Sequence, residues 1–171
     1  TKEYFLAMLT YAHEKQDPMR EIYEIVSEAK LFDIYLKVPN LKHFSRKFEW
    51  HDQNIYFGVK DMKSLAGVTG DKVLTAIEQV EENRGKLASD FNWMDVLVYL
   101  SPVINSIAFK TLASVGFFST TNTGVTRNRA LYEYLIFKNL TDSEEKWVIA
   151  NYPQKRWETL KDCLTDLAPT K

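Results

Sequence analysis

Two glycines three positions apart, Gly67 and Gly70, enclose Val68 and Thr69 in the stretch MKSLAGVTGDKVLTAIEQV, residues 62–80. Residues of these types at this spacing suit one kind of chemistry. Glycine carries the backbone through positive φ and lets a bulky oxyanion come close to the main chain. A helix that begins directly afterwards has amide N–H groups with no intrahelical acceptor, and these donate to a phosphate oxygen. Lys63 and Lys72 stand on either side to add charge. The pattern predicts helix, hairpin, helix, with Leu65 at the turn and Gly67, Val68, Thr69, Gly70 and Lys72 as the grip. The same pattern also serves a helical domain that merely turns a corner.

Little else in the chain is reactive. It has no G-x-S-x-G elbow, P-loop, G-x-G-x-x-G or H-E-x-x-H motif, and no paired aspartates on a strand for a two-metal site. His13, His43 and His51 lie apart in sequence and, with the single Cys163, give no metal-ligand spacing. No metal, cofactor or self-contained active site is therefore expected in this chain. Cys163 falls in an amphipathic helix and is expected to be a packed thiol. A lone cysteine excludes an internal disulfide, which fits a reducing, cytoplasmic setting. No charged-then-apolar leader opens the sequence, and no apolar run approaches the ~20 residues a membrane helix needs.

The elements that must position the hairpin are mainly helical. Hydrophobic residues make up 45% of the 171 and aromatics 13%, enough for the core of one domain or two small ones. Helical spacing places Tyr4, Phe5, Met8, Leu9 and Ala12 on one face, and Met19, Ile22, Tyr23, Val26 and Ala29 on another. Asp17-Pro18 supplies a cap and a first-turn proline between them. Short strands are expected in FDIYLKVP (32–39) and NIYFGV (54–59), able to pair. Beyond Gly58 every element reads as helix. Val73, Leu74, Ile77 and Val80 form a buried face up to Gly85, and a short helix follows at 91–100. Ser101-Pro102 restarts the chain with a cap, and Gly116 takes a left-handed C-terminal cap position. Further helices run through 130–137, from a capping box at Thr141–Glu144, and beyond an interruption at Pro153. The fold class is mainly α with a small β element: a helical bundle holding a tandem helix-hairpin-helix module. The expected division is 1–57, fingers-like helices and strands; 58–138, the hairpin module; and 139–171, C-terminal helices.

Charge sharpens the picture only locally. Lysines and arginines number 22 against 23 acids, a net of −1, which is not the footprint of a dedicated nucleic-acid binder. Basic residues nevertheless cluster in KVPNLKHFSRK (37–47), and as Lys110, Arg127, Arg129 and Lys138 against Glu133 alone in 105–138. A solvated surface is the plain alternative reading of both.

The order of features resembles a region of the bacterial replicative DNA polymerase III alpha subunit, a C-family polymerase. EYFLAMLTYA is similar to the helix that follows that family's palm. EIVSEAKLFDIYLKVPNLKHFSRKF resembles its helix leading into an extended P-P-D-(I/V)-N segment. IYFGVKDMKSLAGVTGDKVLTAI is similar to its R-F-G-L…K-G-V-G stretch, and INSIAFKTLASVGFF with TRNRALYEYL to the helices beyond. Only Pro39 of the proline pair stands, residues 64–66 are additional, Thr69 takes the usual place of the second glycine, and Phe118-Ser119 replaces phenylalanine-aspartate. Together these imply a divergent member, bacterial or phage-encoded.

The resemblance implies a fragment that lacks the palm carboxylates, and so does not polymerise by itself. Mg2+ would belong to the parent polymerase. The implied partner is primer-template duplex DNA, held by its phosphates without base readout. A sliding clamp or other replisome proteins would be met through the parent. Lys63, Gly67, Val68, Thr69, Gly70 and Lys72 would form one grip, and Lys110, Arg127 and Arg129 a second. Arg129 suits pairing with an acid as well, and Asn105 suits capping. The alternative from another class is a helical protein-interaction module docking a replication partner on Phe137, Trp147 and Trp157.

Overall fold

A computed structural model of the protein describes residues 2–12, 18–45, 48–51, 53–62 and 65–168. Among these are eight α-helices and a three-stranded sheet, so the chain is mainly helical with a small β element. It divides into two compact units. The first takes Thr1–Pro39 and His43–Gly70, and the second Asn40–Lys42 and Asp71–Lys171. The division between the units falls inside a helix, at 70/71, and residues 139–171 lie in the second unit.

In the first unit, α1 (Lys2–Ala12) and α2 (Pro18–Lys30) pack beside the sheet. The buried stripes are narrower than their apolar residues allow. Phe5, Leu9 and Ala12 are buried from α1, and Ile22, Ile25 and Ala29 from α2, whereas Tyr4, Met8 and Tyr23 face solvent. Ile34, Phe48 and Ile55 complete this core. Asp17, expected as the cap of α2, lies outside the described residues.

The sheet has the order β1 (Tyr35–Lys37), β3 (Asn54–Tyr56), β2 (Glu49–His51). The two predicted strands do pair, in parallel, with Leu36 opposite Ile55. β2 was not foreseen in the sequence, because three residues are too few to display a period of two. It pairs antiparallel with β3, Trp50 opposite Ile55, across a turn in which Gln53 takes φ +68°. The fold brings His43 and His51 together, with ring centroids 5.1 Å apart, although they are distant in sequence.

The second unit is helical. The long helix α3 (Val68–Arg84) contributes Val73, Leu74, Ile77 and Val80, all buried as the spacing predicts, and ends at Gly85 with φ +62°. Next, α4 (Trp93–Asp95) continues directly as a π-helical turn over Val96–Leu100. The following helix, α5 (Ser106–Ser114), starts later than the Ser101-Pro102 pair suggests. Ser101 instead donates its hydroxyl back to the Leu97 carbonyl, and Asn105 is the cap, accepting from Ile107 and Ala108 N–H at 2.8 and 3.3 Å. A side-chain carbonyl two residues before a free amide is the better acceptor geometry.

Gly116, at φ +84°, closes α5 as predicted. Its N–H donates to Ala113 and that of Phe117 to Leu112, at 3.1 and 3.0 Å, and the buried Leu112 and Phe117 side chains accompany the motif. Two more helices follow, α6 (Arg127–Lys138) and α7 (Asp142–Lys155), the latter with its capping box between Thr141 and Glu144. Pro153 does not interrupt α7. The helix runs through it for two more residues and is ended by Arg156 in the left-handed conformation, so Trp157 sits in the connection before α8 (Leu160–Leu167).

Aromatic stacking holds the centre of this unit. Phe109 lies parallel to Tyr134 at 4.1 Å and against Phe118 at 4.8 Å, and Trp93 closes the group at 5.9 Å from Phe118. The segment Asn40–Lys42 joins it through the buried Leu41, whose N–H donates to the Phe117 carbonyl at 3.0 Å.

Candidate nucleic-acid interface

Residues 63 and 64 of the predicted first helix lie outside the described residues. Ahead of them is a 3-10 turn, Val59–Asp61, with the Asp61 carboxylate accepting Gly58 N–H at 2.9 Å. An intact helix would leave no room for the extended residue Met62, at ψ 138°, which redirects the chain. Lys63 lies outside the described residues. Leu65 is fully buried and anchors the turn as expected.

Gly67 takes φ +75° and opens straight into α3. Val68, Thr69 and Gly70 are thus the first helical residues, and among the described residues no side chain takes their amides. Val68 is 66% exposed, so the approach to this end is not closed by its side chain. Gly70 does something different from Gly67. Its φ is ordinary, but a Cβ there would lie 2.1 Å from the Leu65 carbonyl oxygen and 2.8 Å from Lys60 Cγ. Gly70 is needed for close packing of backbone on backbone, while Gly67 supplies the left-handed turn. Lys72 is exposed and is the second residue beyond the division.

The second set of predicted residues lies in the other unit. Lys110 is exposed on α5, and Arg127 is exposed at the start of α6. Gly124, φ +69°, and the buried Val125 lead into Thr126, whose hydroxyl accepts Arg129 N–H at 3.2 Å. Arg127 and Arg129 line a shallow cavity of about 480 Å³ together with Thr126, Gly124 and Ser119. Arg129 is committed, however. Its Nε donates to Glu133, a buried carboxylate that also accepts Trp93 Nε1–H at 3.1 Å. Burying that charge requires a partner, so Arg129 acts first as the counter-ion of the core. Asn105 caps α5, as described above.

Sequence reasoning passed over a signal here. The triplet Gly-Val-Thr occurs twice, at 67–69 and 124–126, each time with its glycine at positive φ and a helix just beyond. Comparing the chain with itself at the level of triplets would have found it.

Phe137 and Trp157 are buried, and Trp147 packs against Trp157 at 5.8 Å, so the aromatics considered for partner docking are used within the unit. Cys163 is a packed thiol. Burial, aided by Asp166, pushes its pKa up to about 11. Among the described residues no group of three or more His, Cys, Asp or Glu side chains is placed to hold a metal ion, and no helix is long and apolar enough to cross a membrane. No family model, curated protein or solved structure matches the chain.

Proposed function

We propose that this chain grips duplex DNA by its phosphates, without reading sequence, as a non-catalytic part of a C-family replicative DNA polymerase. The observation that carries the proposal is the entry into α3: a glycine at φ +75° followed at once by helical residues whose amides no described side chain occupies. Such a helix start concentrates partial positive charge and aligned N–H donors, and suits a phosphate oxygen. Lys72 adds an exposed charge on the same helix, and Lys110 and Arg127 supply further exposed cations. The order of sequence features resembling the polymerase III alpha subunit supports the parent assignment. In that assignment the metal-holding carboxylates, the Mg2+ ions and any clamp contact belong to other parts of the parent.

The test is fluorescence anisotropy of a labelled primer-template duplex over a range of salt. Non-specific contact predicts a Kd on the order of 10⁻⁴–10⁻⁶ M. With roughly two phosphates neutralised, doubling the salt weakens binding about three- to fourfold, equally for unrelated sequences. Absence of binding at low salt reduces the hairpin to a structural turn and refutes the proposal.

A further inference from the structure

The two helices of the first unit pack together, yet their outer faces differ. On α2, Arg20, Glu24 and Glu28 are exposed, and Arg20 Nε lies 3.5 Å from the Glu24 carboxylate one turn on, as on an ordinary surface helix. By contrast, α1 carries no charge from Tyr4 to Ala12. Its inner face is the buried Phe5, Leu9 and Ala12, and its outer face is Tyr4, Ala7, Met8 and Tyr11. Spacing of i, i+3, i+4 and i+7 puts these four in one stripe. Tyr4 is 52%, Met8 39% and Tyr11 60% exposed. A helix apolar all round belongs in an interior, and its own unit covers only half of α1.

The patch continues past the helix. Phe32, 57% exposed, and Tyr4 both pack on the ring of Phe5, with centroids 5.8 and 5.2 Å from it, and Leu31 beside Phe32 is 82% exposed. At ~200 Å² for a large side chain, these five exposures amount to about 600 Å². That is the upper end of what a monomer shows in one patch, and about three-quarters of the ~800 Å² that a standard interface takes from each partner.

The order of the residues identifies the occupant. The stripe runs tyrosine, three positions to the Ala7-Met8 pair, then three positions to tyrosine, and has the same spacing from either end. Such a stripe is its own complement about a two-fold axis. With two copies antiparallel and the axis between positions 7 and 8, each Tyr4 meets the partner's Tyr11. Ala7 lets the two backbones approach, and the flexible Met8 fills the space beside it. Phe32, near the Tyr4 end, extends the contact with the partner's Tyr11. The tyrosine hydroxyls stay at the wet rim.

We infer that this face of α1 is the contact surface of a homodimer, in which two copies of α1 cross antiparallel about an axis between Ala7 and Met8. Neither the duplex grip nor the polymerase assignment is needed for it, since α1 shares no residue with the glycine turns.

Sedimentation equilibrium of the full chain is the test. The average mass rises with concentration from the 19.9 kDa of one chain to twice that and stops there. A Kd on the order of 1–100 µM suits an interface at the small end of the range. Ala7→Glu sets two carboxylates against each other at the axis and weakens association about tenfold or more. Because Ala7 is exposed, this variant keeps the circular dichroism spectrum of the unmodified chain. Cysteine cross-linking reads the geometry, with Cys163 buried and out of reach. Under mild oxidation Ala7→Cys gives a disulfide-linked dimer, and Ser27→Cys, exposed on α2, does not. Tyr4→Cys alone does not link, because the helix rise keeps the two copies of position 4 roughly 10 Å apart, beyond the ~7 Å reach of a disulfide. Mixed with Tyr11→Cys, it does. A single-chain mass up to about 500 µM, a mass climbing past two chains, full association in Ala7→Glu, or Tyr4→Cys linking to itself would each overturn the inference. In the first case the face of α1 is left to a different protein.

Discussion

The two Gly-Val-Thr turns begin alike and end differently. At Gly67 the helix starts on the next residue, Val68 is exposed, and no described side chain caps the first amides of α3, although Gly70 is itself buried. At Gly124 the helix starts two residues later, after Thr126. That delay buries Val125, turns the threonine into a cap, and places Arg129 where it can neutralise Glu133. The same three residue types therefore give an open helix end in one case and a sealed one in the other. The deciding variable is the distance from glycine to helix start, not the identity of the residues. In the proposed function a main-chain phosphate grip would go with the first turn, and the second has an exposed guanidinium to offer.

Gly70→Ala is the largest blow to this contrast. Its methyl group would collide with the Leu65 carbonyl, a backbone atom that cannot rotate aside. A cost of about 3 kcal/mol is expected, at the top of the range for overpacking. Urea denaturation measures it. A loss near zero would mean that the turn is loosely packed and that the open helix end is not a fixed feature.

Arg129→Ala comes next and strikes the second turn. It leaves Glu133, buried among aromatics, with the Trp93 N–H as its donor among the described residues of the core. Arg129 is itself half exposed, so solvent replaces part of its effect, and about 1–2 kcal/mol of stability is the expected loss. Arg129→Lys, which keeps charge but loses the fixed donor geometry, should recover only part of it. If Arg129→Ala melts like the unmodified chain while duplex affinity falls, the residue is a DNA contact and not a counter-ion. Thr126→Ala follows at about 1 kcal/mol, the usual value of a helix cap, with thermal melting as the readout. The equivalent change at the first turn, Thr69→Ala, should cost less, because no described amide depends on that hydroxyl.

Much of the second unit was legible in its residues because local rules act there without competition. The buried stripe of α3, the left-handed Gly116 and the Thr141–Glu144 box each depend on spacing over four residues or fewer. What was hidden depended on distance. β2 exists because β3 offers it an edge, and nothing in Glu-Trp-His announces a strand. Ser101-Pro102 has the composition of a helix start, yet the π-helical turn before it claims the serine, and Asn105 does the capping. Tyr23 and Met8 obey helical spacing but face solvent, while Phe5, Leu9 and Ala12 of α1 and Ile22, Ile25 and Ala29 of α2 fill the core and Leu6 and Val26 pack at its edge. The candidate site was legible as two glycines. Their different reasons for being glycine, one conformational and one steric, needed the Leu65 carbonyl in place.

The smallest change in stability should come from the two exposed cations that follow the turns, and it tests the contrast most directly. Lys72→Ala and Arg127→Ala remove side chains in solvent, and each should leave stability within about 0.5 kcal/mol of the unmodified chain. Their effects on DNA should differ. If α3 supplies the grip, Lys72 shares a phosphate with the open amides, and losing it flattens the slope of log affinity against log salt by about 0.9. Arg127 begins a helix whose cap is already filled, and its stem lies against Gly116, 3.8 Å from where a Cβ would be. Removing it should flatten the slope by clearly less. The opposite ranking, with Arg127→Ala flattening the slope and Lys72→Ala leaving it intact, would place the phosphate in the shallow cavity at the second turn. An open helix end would then be no guide to where an anion binds in this fold, and charge density alone would decide.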